Sequence, residues 1–190
     1  MAQPTVCYAV DVECVATGTD HNSRSVAQIS VVDEHMNVLL NVYVQQQQPV
    51  VSYLSPLTGL TAAVLQQFGV PLPQALAAVR SVLPRHAVLI GQNIRQDVQW
   101  LGLQEGQDFD SMMDLQGLFR VWNDKDARKS MALFNYYRHT MQPDPRAMQA
   151  AHQALLAAPP PPSFAKRNTQ FEGVCMGNRR TCTCGAPFFG

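Results

Sequence analysis

The chain has 190 residues, enough for one domain with a hydrophobic core and a tail, and its 46% hydrophobic and 15% charged content describes a globular chain and excludes a disordered one. Fourteen basic against fourteen acidic residues leave a formal net charge of zero, which excludes a global field for a polyanion and leaves nucleic-acid binding to a local patch. No apolar run approaches the roughly 20 residues of a membrane span, and MAQPTVCYAV lacks the basic start and long apolar stretch of a secretory signal; an intracellular chain, in nucleus or cytoplasm, is expected.

In chain order, CYAVDVECV predicts a first strand, SVAQISVVDE a second with EHMN as its turn, and NVLLNVYVQ a third, an antiparallel meander. The Gln run at positions 45 to 48 reads as a loop. SPLTGLTAAVLQQFGV carries Leu60, Val64 and Leu65 at helical spacing, with Thr61 as N-cap and Gly69 as stop. PLPQALAAVRSVLP predicts a second helix with Leu72, Leu76, Val79 and Val82 on one face. HAVLIGQN is a short buried strand, with Gln92 and Asn93 as turn residues, feeding a helix over IRQDVQWLGL that aligns Ile94, Val98 and Leu101. LQGLFRVW and DARKSMALFNYYRHTM predict further helices, and Asp114 reads as a cap for the first of them. Strands followed by alternating helices and strands imply an α/β fold with a mixed sheet and flanking helices. Beyond Pro143 an Ala/Gln-rich stretch runs into four prolines, so a core domain is expected over 1–142 and an Ala/Pro-rich linker with a cysteine-containing tail over 143–190.

The chemistry gathers around acids. Asp11 and Glu13 stand two apart on a strand and so project from one face, where paired like charges call for a cation. Asp97 opens a helix after a buried strand, and Asp126 stands at the last core helix. Four such carboxylates can hold two divalent ions about 4 Å apart, and oxygen-only ligation selects Mg or Mn. Simpler roles stay open: Asp97 also suits the helix macrodipole, and Asp126 equally suits an N-cap.

AVDVECV, LIGQNIRQDVQWL and DARKSMALF resemble, in order, the three exonuclease motifs of the DnaQ-like DEDD superfamily of 3′-to-5′ exonucleases, most of all the RNA-exonuclease branch with the yeast Rex proteins and the interferon-stimulated exonuclease. The resemblance spans roughly residues 6 to 138. It implies an RNase H-like sheet, three antiparallel strands then parallel ones, and two metal ions held by Asp11, Glu13, Asp97 and Asp126. It also implies hydrolysis of RNA or single-stranded DNA from the 3′ end to nucleoside monophosphates. Gln92 stands where the second motif commonly has His, and PLTGLT resembles the family segment that lies near the terminal nucleotide.

The third motif departs from the branch pattern HxAxxDAxxS. With Asp126 in the Asp position, the general-base His is replaced by Val121 and the Ala by Asn123. The interval from Asp97 to Asp126 is also short for the family, which implies that one internal helical segment is missing. General acid–base catalysis contributes about 10²–10⁴ in rate, so the alternative is an exonuclease fold without turnover that binds nucleic acid or protein. His139, about 20 Å along the same predicted helix, is a poor substitute. In the tail, Cys175, Cys182 and Cys184 lie beside Arg179 and Arg180; three thiols in a short segment can bind zinc, but structural zinc takes four ligands and no fourth is obvious locally, so packed or surface thiols are the favoured reading and zinc the lesser one.

Overall fold

The structure is a computed structural model that describes residues 6–117, 126–158 and 162–188. Its main sheet is mixed, with six strands in the order β4-β3-β2-β1-β5-β6, the pairs β3–β4, β1–β5 and β5–β6 being parallel, and helices flank it. The strands are β1 (Val6–Ala16), β2 (Arg24–Asp33), β3 (Val38–Val44), β4 (Gly69–Val70), β5 (Ala87–Gly91) and β6 (Ser111–Asp114). This is the α/β architecture expected from the motifs. The two strands that periodicity does not predict are β4, with two residues, and β6, whose four residues lie between a loop and a turn and are too short to show alternation.

The chain divides into two compact units, Met1–Asp11 with Ser30–Asn41 and Leu76–Pro161, and Val12–Ile29 with Val42–Ala75 and Pro162–Gly190. In the first unit β1 pairs in parallel with β5, Val6 to Ala87 through Ala9 to Ile90, and β5 pairs in parallel with β6, Val88 to Ser111 through Gly91 to Asp114. Parallel strands need crossovers. One, between β5 and β6, contains the eight-residue helix Ile94–Leu101, which buries Ile94, Val98 and Leu101 as their spacing predicts. Helix Leu72–Val82 precedes β5.

The core of this unit joins Cys7 and Ala9 of β1, Val32 of β2 and Ile90 of β5 to Ala127, Met131 and Phe134 of helix Ala127–Tyr136. Those three helical positions, with buried Ser130, repeat at three- and four-residue intervals, one face of a helix. The sequence predicts one helix to Met141; the α-helix ends at Tyr136 and Tyr137–Met141 continues as a π-helical turn. No glycine or proline punctuates NYYRHTM, so nothing in the composition marks the change. Asp144 then accepts from the Arg146 N–H at 2.9 Å and, with Pro145, opens helix Pro145–Ala157, whose Met148 and Ala151 pack on the same core. LQGLFRVW is a 3₁₀ turn over Leu115–Gly117; its remainder, with Val121 and Asn123, lies outside the described residues, as do the first three of the four prolines.

In the second unit Val15, Ala27, Leu60 and Leu65 form a core cluster, and Ala16, Leu54 and Val174 another. The short helix Ala62–Phe68 starts as predicted, with the Thr61 hydroxyl accepting from the Val64 N–H, and stops at Gly69. PLTGLT forms a single helical turn, Ser55–Thr58; the Thr58 hydroxyl donates to the Tyr53 carbonyl at 2.9 Å and accepts from the Leu60 N–H at 3.0 Å. Downstream, the helical turn Phe164–Arg167 leads to an antiparallel hairpin, β7 (Gln170–Phe171) and β8 (Val174–Cys175).

Candidate functional site

Because β1, β5 and β6 run parallel, the C-terminal ends of β5 and β6 lie at one edge of the first unit beside Val10 and Asp11 of β1, which runs on beyond that unit; such an edge is where open α/β sheets bind ligands. Asp11 lies on β1 two residues beyond Ala9, the partner of Ile90. At the end of β5 the chain turns through Gly91, Gln92 and Asn93 into the helix bearing Asp97. A Cβ on Gly91 would stand 2.8 Å from Ile94 Cδ1 and 3.1 Å from the Val10 carbonyl oxygen, so the missing side chain lets this helix start against β1. Asn93 takes the left-handed conformation, φ 62°, which asparagine tolerates better than most residues. Gln92 is buried.

Asp97 sits in the first turn of that helix and is only 6% exposed. A carboxylate so far from water has lost hydration that only strong partners replace. Asp126 caps helix Ala127–Tyr136: its Oδ1 accepts from the Lys129 N–H at 2.8 Å and its Oδ2 lies 3.6 Å from Lys129 Nζ. The next residue, Ala127, is in the cluster that holds Ala9 and Ile90, so Asp126 is anchored on the same strands. Glu13 is on β1 in the second unit, half-buried between Val12 and Cys14 and on the face of Asp11 by alternation. His139 is exposed on the π-helical turn.

Asp114, for which the sequence favours capping over lining the site, makes two bonds. Its Oδ1 accepts from the Gln116 N–H at 2.9 Å, the expected cap of the turn, and also from the Asn93 N–H at 3.0 Å. The second bond ties the end of β6 to the residue that launches the Asp97 helix, a link that only the β5–β6 pairing creates. Asp114→Ala is therefore expected to lower stability by about 1 kcal/mol in urea denaturation, with Asp114→Asn, which keeps an acceptor oxygen, restoring most of it.

A second set of ligating side chains gathers in the second unit: His21, Cys175, Cys182 and Cys184 have ligand atoms all within 4.8 Å of one another. Local sequence shows the three thiols; the histidine arrives from the loop after β1, 163 residues before Cys184. Backbone N–H groups of Ala186 and of His21, helped by the imidazole and the Cys182 thiol, bring Cys184 down to about 6. Cys182 is pushed up to about 11: a backbone bond at Cys184 lowers it, and the Cys184 side chain, burial and the Cys175 thiol outweigh that.

No family model matches the chain. Over 98 residues, 52% of this chain, it is 30% identical to the apoptosis-enhancing nuclease of Homo sapiens, and over 111 residues, 58% of this chain, 24% identical to small RNA degrading nuclease 2 of Arabidopsis thaliana. The matches span 30% and 24% of those proteins, less than a third of either. Among solved structures, the Pan2 pseudoubiquitin hydrolase-RNA exonuclease module of Saccharomyces cerevisiae, in complex with AAGGA RNA, superposes with a TM-score of 0.64 over 80% of this chain and 32% of that one, at 13% identity, a likeness of fold. The chain is thus similar in sequence to curated nucleases and in fold to the Pan2 exonuclease module, in keeping with the DEDD-type resemblance its three motifs carry.

Proposed function

We propose that this chain is a metal-dependent 3′-to-5′ exonuclease that removes nucleoside monophosphates from the 3′ end of RNA or single-stranded DNA. The observation that carries the reading is Asp97, a carboxylate 6% exposed at the start of its helix, at the strand edge that also bears Asp11. Asp11, Glu13, Asp97 and Asp126 are the acids that would hold the metal. Their oxygen-only donor set fits Mg or Mn. When bound, two such ions supply Lewis-acid activation of a water and stabilisation of the leaving oxygen. Asp114 serves by holding the turn from which Asp97 projects. The named activities of the relatives, small RNA degradation among them, and the RNA bound to the Pan2 module favour RNA.

Val121 in the general-base position supports a slow enzyme, about 10²–10⁴ below a chain with His there. The test is a time course on single-stranded RNA labelled at either end, with Mn and with EDTA. Metal-dependent release of monophosphate from the 3′ label first is the expected result. Binding without release would leave the fold as a nucleic-acid-binding module, and metal-independent cleavage would remove the two-ion reading.

A further inference from the structure

We infer that His21, Cys175, Cys182 and Cys184 form a structural zinc site that clips the C-terminal segment to the loop following β1. The contacts outline a coordination shell: His21 Nδ1 is 3.1 Å from Cys184 Sγ and 3.6 Å from Cys182 Sγ, and Cys182 Sγ is 3.3 Å from Cys184 Sγ and 3.4 Å from Cys175 Sγ. Zinc at about 2.3 Å from sulfur and about 2.0 Å from nitrogen sets tetrahedral ligand separations of about 3.5–3.8 Å; these four contacts lie within a few tenths of an ångström of that range, and the other pairs of the cluster lie within 4.8 Å. Three thiolates and one neutral imidazole complete the shell with protein ligands, the closed form of structural zinc, and leave no position for a substrate.

The surroundings are built to present these atoms. The Cys175 N–H donates to the Thr19 carbonyl at 2.8 Å, and the Arg24 guanidinium donates to the Cys175 carbonyl at 2.8 Å and to the Asp20 carbonyl at 2.9 Å, joining loop and tail beside the cluster. The imidazole of His21 stacks on Phe188 with ring centroids 4.1 Å apart, and Asn22 Nδ2 donates to the Pro187 carbonyl at 2.8 Å. Gly177 takes φ +70°, and a Cβ there would reach 3.4 Å from His21 Cβ, so the backbone passes close over the histidine where side chains are disfavoured. The tail hairpin contributes few apolar side chains, Val174 with Phe171 and Met176, to its core, which makes a metal clip an effective fastener for it. The acids of the proposed nuclease site are not part of this shell, so the inference stands apart from that reading.

The full-length chain, purified without chelator, is expected to carry stoichiometric zinc by elemental analysis. Replacement by cobalt should give the thiolate charge-transfer and tetrahedral ligand-field absorption of a three-sulfur, one-nitrogen site. His21→Ala and Cys184→Ser should each lower metal affinity by more than the roughly 10–100-fold that outer-shell changes cost, while Cys7→Ala, a thiol in the other unit, should leave it unchanged. If either ligand variant fails to fold, the cobalt spectrum of the wild-type chain decides. Absence of retained zinc with no tetrahedral cobalt spectrum, or a Cys175–Cys182 disulfide in the chain purified without reductant, overturns the site.

Discussion

Asp97→Asn is expected to abolish measurable release of 3′-terminal nucleotides, a fall of about 10³-fold or more. The amide keeps the shape of the buried side chain but not its charge, and a hard cation loses an anionic oxygen donor. Stabilisation of several kcal/mol by a metal site corresponds to about tenfold in rate for each 1.36 kcal/mol. Asp11→Asn should behave alike. The comparison with Asp126→Asn is informative because asparagine caps a helix as well as aspartate does, so the bond to the Lys129 N–H survives and helix Ala127–Tyr136 keeps its start. Loss of turnover in that variant at unchanged melting temperature would report the charge alone. Rates are read on 3′-labelled RNA, with melting curves for each variant; full activity in Asp97→Asn with an intact fold would remove this acid from the site.

Ile90→Ala is expected to cost about 2–5 kcal/mol of stability. Its side chain has no exposure and belongs to the cluster of Ala9, Ala127 and Met131, so β1, β5 and the helix opened by Asp126 meet at this residue. The loss combines the transfer free energy of the deleted methylenes with the cavity left behind, since backbone-anchored neighbours relax only in part. Ile90→Val, smaller by one methylene, should cost about 0.5–1.5 kcal/mol. Guanidinium denaturation at constant slope checks both; equal effects would mean that the cluster collapses around the gap.

How much was legible depended on range. Alternation along β1 and the 3.6-residue spacing from Ile94 to Leu101 identify a strand and a helix without tertiary information, because each has one buried face and the pattern records which. Thr61 and Gly69 likewise bound their helix locally. Strand β6 and the hairpin β7–β8 escaped because strands of two to four residues contain at most two alternations and take their stability from a partner strand. The π-helical turn at Tyr137 escaped because it has no punctuating residue.

The sequence by itself determined the order of the elements, the placement of Asp11, Glu13, Asp97 and Asp126 on or beside them, and the exonuclease resemblance, since motifs along the chain carry all three. Only the tertiary structure decided that Asp114 holds Asn93 and that His21 completes a set of three thiols. Both join positions far apart in the chain. Strand pairing and loop packing create them, through side-chain geometry that no local periodicity encodes.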